Sequence, residues 1–250
     1  MIDYIYYINL KARKNKKLFM EHQLSNIGIP YSRFEAVRPT EDSIKKGGEH
    51  YSSYKRNRFE KAKVCMGESY ISNNYYRGTL GCYLSHYLLL KEIAKSSFCN
   101  VLVLEDDCDL SSGKALTELQ DSFYNKVIPD DWDIIRSTWS SQKELNKINY
   151  CHPLSRKFKK SNTCDLLSEV NGKYSNNKNN NPIIHSLYGG THFQLINQKS
   201  AQKIIDYLDS DVMLPIDAMY TTNALNVYHA KFGVRCVNMG SDIHSESKKS

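Results

Sequence analysis

Three consecutive carboxylates, Glu105, Asp106 and Asp107, follow directly on the apolar run Val101–Leu104, with Asp109 just beyond. Adjacent carboxylates repel one another, and grouping them is costly unless a proton or a cation relieves the repulsion. Hard oxygen donors of this kind suit Mn²⁺ or Mg²⁺, ions that in turn hold phosphate oxygens. A short uninterrupted apolar run reads as a strand buried on both faces, as in a parallel sheet. Ligands of open α/β sheets gather outside the carboxyl ends of such strands, which is where these acids stand. A solvated acidic loop after a core strand is the alternative, and this stretch alone leaves both open.

Two further residues could move protons. Asp217 stands among apolar residues after Pro215, where an acid serves as a helix cap or as a general base. His86 lies near the start of a strongly apolar helical pattern running from Gly78 to Ile93. A hydrogen-bonded core histidine is the plain reading there, and a proton-transfer group the alternative.

The elements that must position these residues alternate in type. Tyr4 to Leu10 is aromatic and β-branched and reads as the first strand. A basic stretch, Lys11 to Lys17, opens a helix whose apolar positions are Leu18, Phe19, Leu24 and Ile27, with Gly28 as its stop. Ile29 to Val37 is the second extended segment. This β-α-β order predicts a parallel sheet with a right-handed crossover. Residues 38–76 are polar and read as loops and short helices. Further on come a helix at Gly113–Tyr124, a strand at Trp132–Arg136, a strand ending at Ile196, a helix at Lys199–Leu208 and a last strand at Val234–Met239. The Asn-rich tract within residues 171–182 cannot bury a core. Residues 140–182 are therefore expected to be a mobile insertion in a single domain covering residues 1–250.

Composition excludes some classes. With 40% hydrophobic and 24% charged residues the chain reads as globular, and no stretch approaches the apolar length of a membrane span. The N-terminus lacks a secretory layout, so a cytoplasmic location is expected. Seven cysteines, odd in number and without a C-x-x-C pair, argue against a disulfide framework and against a zinc site. The net charge of +7 is concentrated at Lys11, Arg13, Lys14, Lys16 and Lys17, and again at Arg156, Lys157, Lys159 and Lys160. Such clusters can meet nucleic acid, anionic lipid or an anionic substrate, although a solvated face is their usual explanation.

Taken in order, these pieces resemble glycosyltransferase family 25, the bacterial lipooligosaccharide galactosyltransferase group. Four stretches carry the resemblance: Tyr7-Ile8-Asn9-Leu10 with its basic helix and Phe34-Glu35-Ala36-Val37; Gly78–His86 with Gly-Cys-x-x-Ser-His; Leu104-Glu105-Asp106-Asp107; and Pro215-Ile216-Asp217. Two places depart from the family's pattern. Thr79 stands where an acid is common, and Asn15-Lys16-Lys17 where the family has arginines.

The resemblance implies an α/β, GT-A-like, Rossmann-type fold, with a mostly parallel sheet flanked by helices. It also implies a UDP-sugar donor, inversion at the anomeric carbon, and Mn²⁺ or Mg²⁺ held by Asp106 and Asp107 beside Glu105. Asp217 is then the first candidate for the base and His86 the second. His244 would complete the metal shell, and Asn9 and Arg13 would contact the nucleotide. The partners implied are a nucleotide-sugar donor, with UDP-galactose the expected one, and a lipid-linked saccharide acceptor. Contact with an anionic inner membrane surface is expected through the basic clusters, and no nucleic acid. A metal-dependent nucleotidyl or phosphoryl transferase could use the same acids. A non-enzymatic basic module binding membrane or nucleic acid would leave them unexplained.

Overall fold

The structure, a computed structural model, describes residues 1–39, 73–137, 158–160, 191–209, 215–220, 224–230, 234–237 and 239. His244, most of the 140–182 insertion and Gly190 lie outside the described residues.

A seven-stranded sheet carries the fold, in the order β2-β1-β3-β7-β5-β8-β6. Its strands are β1 (Tyr4–Asn9), β2 (Tyr31–Glu35), β3 (Asn100–Glu105), β5 (Ile134–Ser137), β6 (Phe158–Lys160), β7 (Phe193–Asn197) and β8 (Val227–Ala230). The short strands β4 (Cys108–Asp109) and β9 (Arg235–Cys236) pair separately. The helices are α1 (Lys14–Leu24), α2 (Asn73–Lys95), α3 (Lys114–Tyr124), α4 (Ala201–Leu208) and the one-turn α5 (Ile216–Met219).

β1, β2, β3, β5 and β8 run in one direction, and β7 and β6 run against them. The β1-α1-β2 unit gives the expected parallel pairing, with Ile5 opposite Tyr31 and Ile8 opposite Phe34. The mostly parallel α/β sheet predicted from the sequence is thus present. Its antiparallel strand β7, wedged between β3 and β5, was not predicted.

The apolar run of β3 is uninterrupted because both its faces are covered. Val101 and Val103 join Ile134, Ile196 and Val227 in one core cluster, which contains the buried residues of α2, α4 and α5. Leu102 and Leu104 join Ile135 and Leu195 in a second cluster with Met20 and Leu24 of α1 and Leu116 and Leu119 of α3.

α2 is anchored near its middle, on two sides. Ser85 donates to the Gly81 carbonyl at 2.6 Å and accepts from Val37 N–H at 2.9 Å, which ties the helix to the chain after β2. Gly81 has no room for a side chain, since a Cβ there would sit 2.6 Å from the Val37 carbonyl oxygen. Tyr83 donates to the Leu208 carbonyl at 2.6 Å, which fixes α4.

Three sequence expectations require correction. Leu18 is 66% exposed, whereas Lys16 is 4% exposed and shares the buried side of α1 with Met20 and Leu24. Residues four apart stack on one helical face, and Lys16 is drawn to that face by the acids described below. Lys16 therefore does not belong to the solvated basic cluster. The expected last strand reduces to Arg235–Cys236, which pairs with β4 outside the main sheet. β8 was not anticipated, because a four-residue strand carries little periodic signal.

Candidate active site

β3 ends at Glu105, and the chain turns through Asp106 and Asp107 before β4. Val237 N–H donates to the Asp107 carbonyl at 2.8 Å, so the segment after β9 fastens this turn from outside the main sheet. The three acids have different partners.

Asp106 is met from β1 and α1. Lys16 Nζ donates to its Oδ1 at 2.9 Å, and Asn9 Nδ2 donates to its Oδ2 at 2.8 Å. The same ammonium reaches Asp107 Oδ2 at 3.2 Å. Burial pulls the Lys16 pKa down, but the hydrogen bond and charge of Asp106, with those of Asp107, outweigh it and raise it above the ordinary lysine value. For Asp106 the balance goes the other way: burial lifts its carboxyl despite Lys16 and Asn9. Arg13 enters through its backbone, its carbonyl accepting from Asn9 Nδ2 at 3.2 Å.

Glu105 is met from α2 and the start of β7. The Thr191 hydroxyl donates to its Oε1, His86 Nε2 lies 3.6 Å from the same oxygen, and Cys82 Sγ lies 4.0 Å away. His192 Nδ1 stands 2.9 Å from Glu105 Oε2 and 3.5 Å from Asp107 Oδ1. These His192 separations are ion-pair contacts without hydrogen-bond alignment: His192 Nδ1 and Asp107 Oδ1 are both buried and lack a hydrogen-bond partner. Burial alone would raise the Glu105 carboxyl, but the neighbouring charge of His192, with His86, holds it well below the usual carboxylate range. Burial likewise opposes a charged His192, yet Glu105 and then Asp107 push its pKa up to about 12.

A third group lies deeper in the core. Arg136 and Gln194 are register partners on β5 and β7, and both are fully buried. Arg136 Nη1 donates to the Asp217 carbonyl at 3.3 Å, and its guanidinium carbon lies 5.7 Å from the Tyr220 ring centre. Burial draws the guanidinium pKa down, opposed first by Asp217 and then by Tyr220 and Glu105. Burial also pushes the Cys82 thiol well above its ordinary range, and Glu105, Asp217 and Asp107 add to the effect. Asp217, in the first turn of α5, therefore shares one electrostatic neighbourhood with the acids after β3.

A divalent cation fits one side of this arrangement. Asp106 has both carboxylate oxygens engaged, whereas Asp107 Oδ1 and Asn9 Oδ1 are buried without partners. Buried unsatisfied oxygens are uncommon and suit a ligand that is a cation. Asp107 is thus the acid with coordination to spare, and Asp106 is the better anchored one.

Of the residues singled out in the sequence, Asn9, Glu105, Asp106 and Asp107 are brought together, with His86 at the rim of Glu105 and Asp217 nearby. His244 lies outside the described residues. Sequence reasoning missed Lys16, Arg136, Thr191, His192 and Cys236. Lys16 could have been found from its spacing with Met20 and Leu24, and Arg136 as the single cation ending the strand Trp132–Arg136. His192 and Cys236 carry no local signal.

Fold and site together define an α/β protein with a cluster of acids at the carboxyl end of β3. A family model described as glycosyltransferase family 25 (LPS biosynthesis protein) matches residues 2–220. The chain belongs to glycosyltransferase family 25. It is 32% identical over 110 residues to a glycosyltransferase 25 family member of Drosophila melanogaster, covering 42% of this chain and 16% of that protein. A glycosyltransferase 25 family member of Drosophila pseudoobscura pseudoobscura is 28% identical over 109 residues, with 42% and 16% covered. The chain thus spans a small part of the length of those relatives.

Proposed function

We propose that this chain is a metal-dependent, inverting glycosyltransferase that moves a hexose, galactose in the first instance, from a UDP-sugar to a lipopolysaccharide-type saccharide. Residues 1–250 would act as one catalytic domain with an insertion at about 140–182. The observation that carries the reading is the buried Asp107 Oδ1, which has an ion-pair contact but no hydrogen bond, beside the fully engaged Asp106 at the end of β3. Family membership and the family's description as LPS biosynthesis proteins support the substrate classes.

The residues divide the work. Asp107 is the principal oxygen ligand of a Mn²⁺ or Mg²⁺ ion, and His244 is a further candidate ligand. Once bound, such an ion neutralises charge on the departing nucleoside diphosphate. Lys16 and Asn9 hold Asp106, and through it the turn, in one orientation. Asn9 and Arg13, at the end of β1, border the nucleotide. Asp217, set by Arg136 through its carbonyl, takes the proton of the attacking acceptor hydroxyl, with His86 the second choice for that role. Among the described residues no helix is long and apolar enough to cross a membrane. Contact with a lipid-linked acceptor at an anionic surface is assigned to the basic clusters.

The test is UDP release from a panel of UDP-sugars with Mn²⁺ and saccharide acceptors, for the native chain and for Asp107→Asn. Transfer is expected with one donor and should fall by roughly a hundredfold or more in the variant, the scale of losing a preorganised charge at the reacting centre. Phosphate or nucleotidyl transfer in place of sugar transfer would overturn the reading, as would full activity of the variant.

A further inference from the structure

We propose that His192 and Cys236 join Asp107 as a three-donor site that selects a borderline or soft divalent cation, of the zinc or cobalt class, over magnesium. The inference rests on the metal-binding role given to Asp107 above, adds the identity of its partners, and revises the preferred ion of that reading away from Mg²⁺ to a softer one. Asp107, His192 and Cys236 each place one donor atom within 4.8 Å of the other two. Ligands of one tetrahedral ion stand about 3–4 Å apart. Asp107 Oδ1 and His192 Nδ1 are already 3.5 Å apart. Both atoms are buried and make no aligned hydrogen bond, although His192 Nδ1 also faces Glu105 Oε2 at 2.9 Å, so a shared ligand would take over contacts that are only electrostatic.

The donor types decide the cation. A carboxylate alone serves magnesium, but an imidazole nitrogen and a thiolate sulfur favour zinc, cobalt and cadmium. Three protein donors leave a fourth position for a ligand oxygen, the pattern of an open metal site. The exchange balances in charge. One dication enters while His192 gives up its ring proton and Cys236 its thiol proton to solvent, so the site's net charge is unchanged. Glu105 keeps the Thr191 hydroxyl and His86 when His192 turns to the ion.

A neighbouring trio, Cys82, His86 and Glu105, has donors equally close, but its chemistry is poorer. Burial keeps the Cys82 thiol protonated, and Thr191 already occupies Glu105 Oε1. Cys236, by contrast, is exposed, on a strand paired with the end of the acidic turn.

The experiment is a titration of the full metal-free chain with Co²⁺, followed by its thiolate-to-cobalt absorption band, with Mg²⁺ as competitor. The native chain should develop the band with one Co²⁺ bound, and a large excess of Mg²⁺ should not remove it. Cys236→Ser should lose the band, and Asp107→Asn should weaken Co²⁺ binding by tenfold or more, both with unchanged circular dichroism. A band of equal intensity in Cys236→Ser, or no band in the folded native chain, overturns the proposal. Absence of sugar transfer would leave the band in place, and absence of the band would leave transfer with Mn²⁺ in place, so the two failures are distinguishable.

Discussion

The two flanks of the acidic turn are built in opposite ways. On the α1 flank, Lys16 and Asn9 satisfy Asp106 with aligned hydrogen bonds, and Lys16 is 4% exposed. On the β7 flank, His192 lies within ion-pair distance of Glu105 and Asp107, yet its Nδ1 has no aligned partner. On the first flank the carboxylate of Asp106 is fully engaged, and its cation is covalently part of the chain. The second is electrostatically compensated but geometrically unsatisfied. A fixed cation can organise acids without competing for their remaining lone pairs, and an unaligned one can leave when a better ligand arrives.

The largest expected effect comes from breaking the finished flank. Lys16→Met removes a buried cation from two partly buried carboxylates and should cost about 3–5 kcal/mol in urea denaturation, as for a buried pair losing one member. A cost below ~1 kcal/mol would place Lys16 among surface pairs and erase the contrast.

The unfinished flank is read by pH. His192 has its pKa raised from 6.5 to about 12, so its contribution to stability is complete below pH 6.5 and declines as pH rises toward 12. In the metal-free protein its imidazole signals should stay at the charged position across about pH 6–9 in an NMR titration. A midpoint near the ordinary histidine value would mean that Glu105 and Asp107 do not hold it charged.

The smallest effect belongs to the next residue of α1. Lys17 pairs with Glu21 at 3.5 Å in solvent, with side chains 42% and 36% exposed. Lys17→Ala should change stability by no more than ~0.5 kcal/mol, and less at high salt. Adjacent lysines would then differ nearly tenfold in importance.

Much of the β2-β1-β3 part of the sheet was legible because its signals are local. The β1-α1-β2 order, the apolar β3 and the acids at its end each occupy a short window, and α2 announced itself through Leu80, Tyr83, Leu84 and Tyr87. The reversal of β7 was not legible, since an apolar strand has no sign of direction. Nor was the grouping of Asp107, His192 and Cys236. Spacing rules detect metal ligands that are close in sequence, and a chain without a C-x-x-C pair carries no such signal for a zinc-class ion. The face of α1 was misread for a related reason. Leu18 outranks Lys16 on any apolar scale, and only the distant carboxylates reverse that order.

The partners of the acids also have a kinetic consequence. Asn9 and Lys16 reach Asp106 across 97 and 90 residues, and Thr191 reaches Glu105 across 86. Contacts this distant along the chain close late, after the entropy of large loops has been overcome. While the chain is being synthesised, Glu105, Asp106 and Asp107 emerge after Asn9 and Lys16 but long before Thr191 and His192, so the partners on β1 and α1 are available first. Occupancy of the finished site would then report that both halves of the sheet have joined.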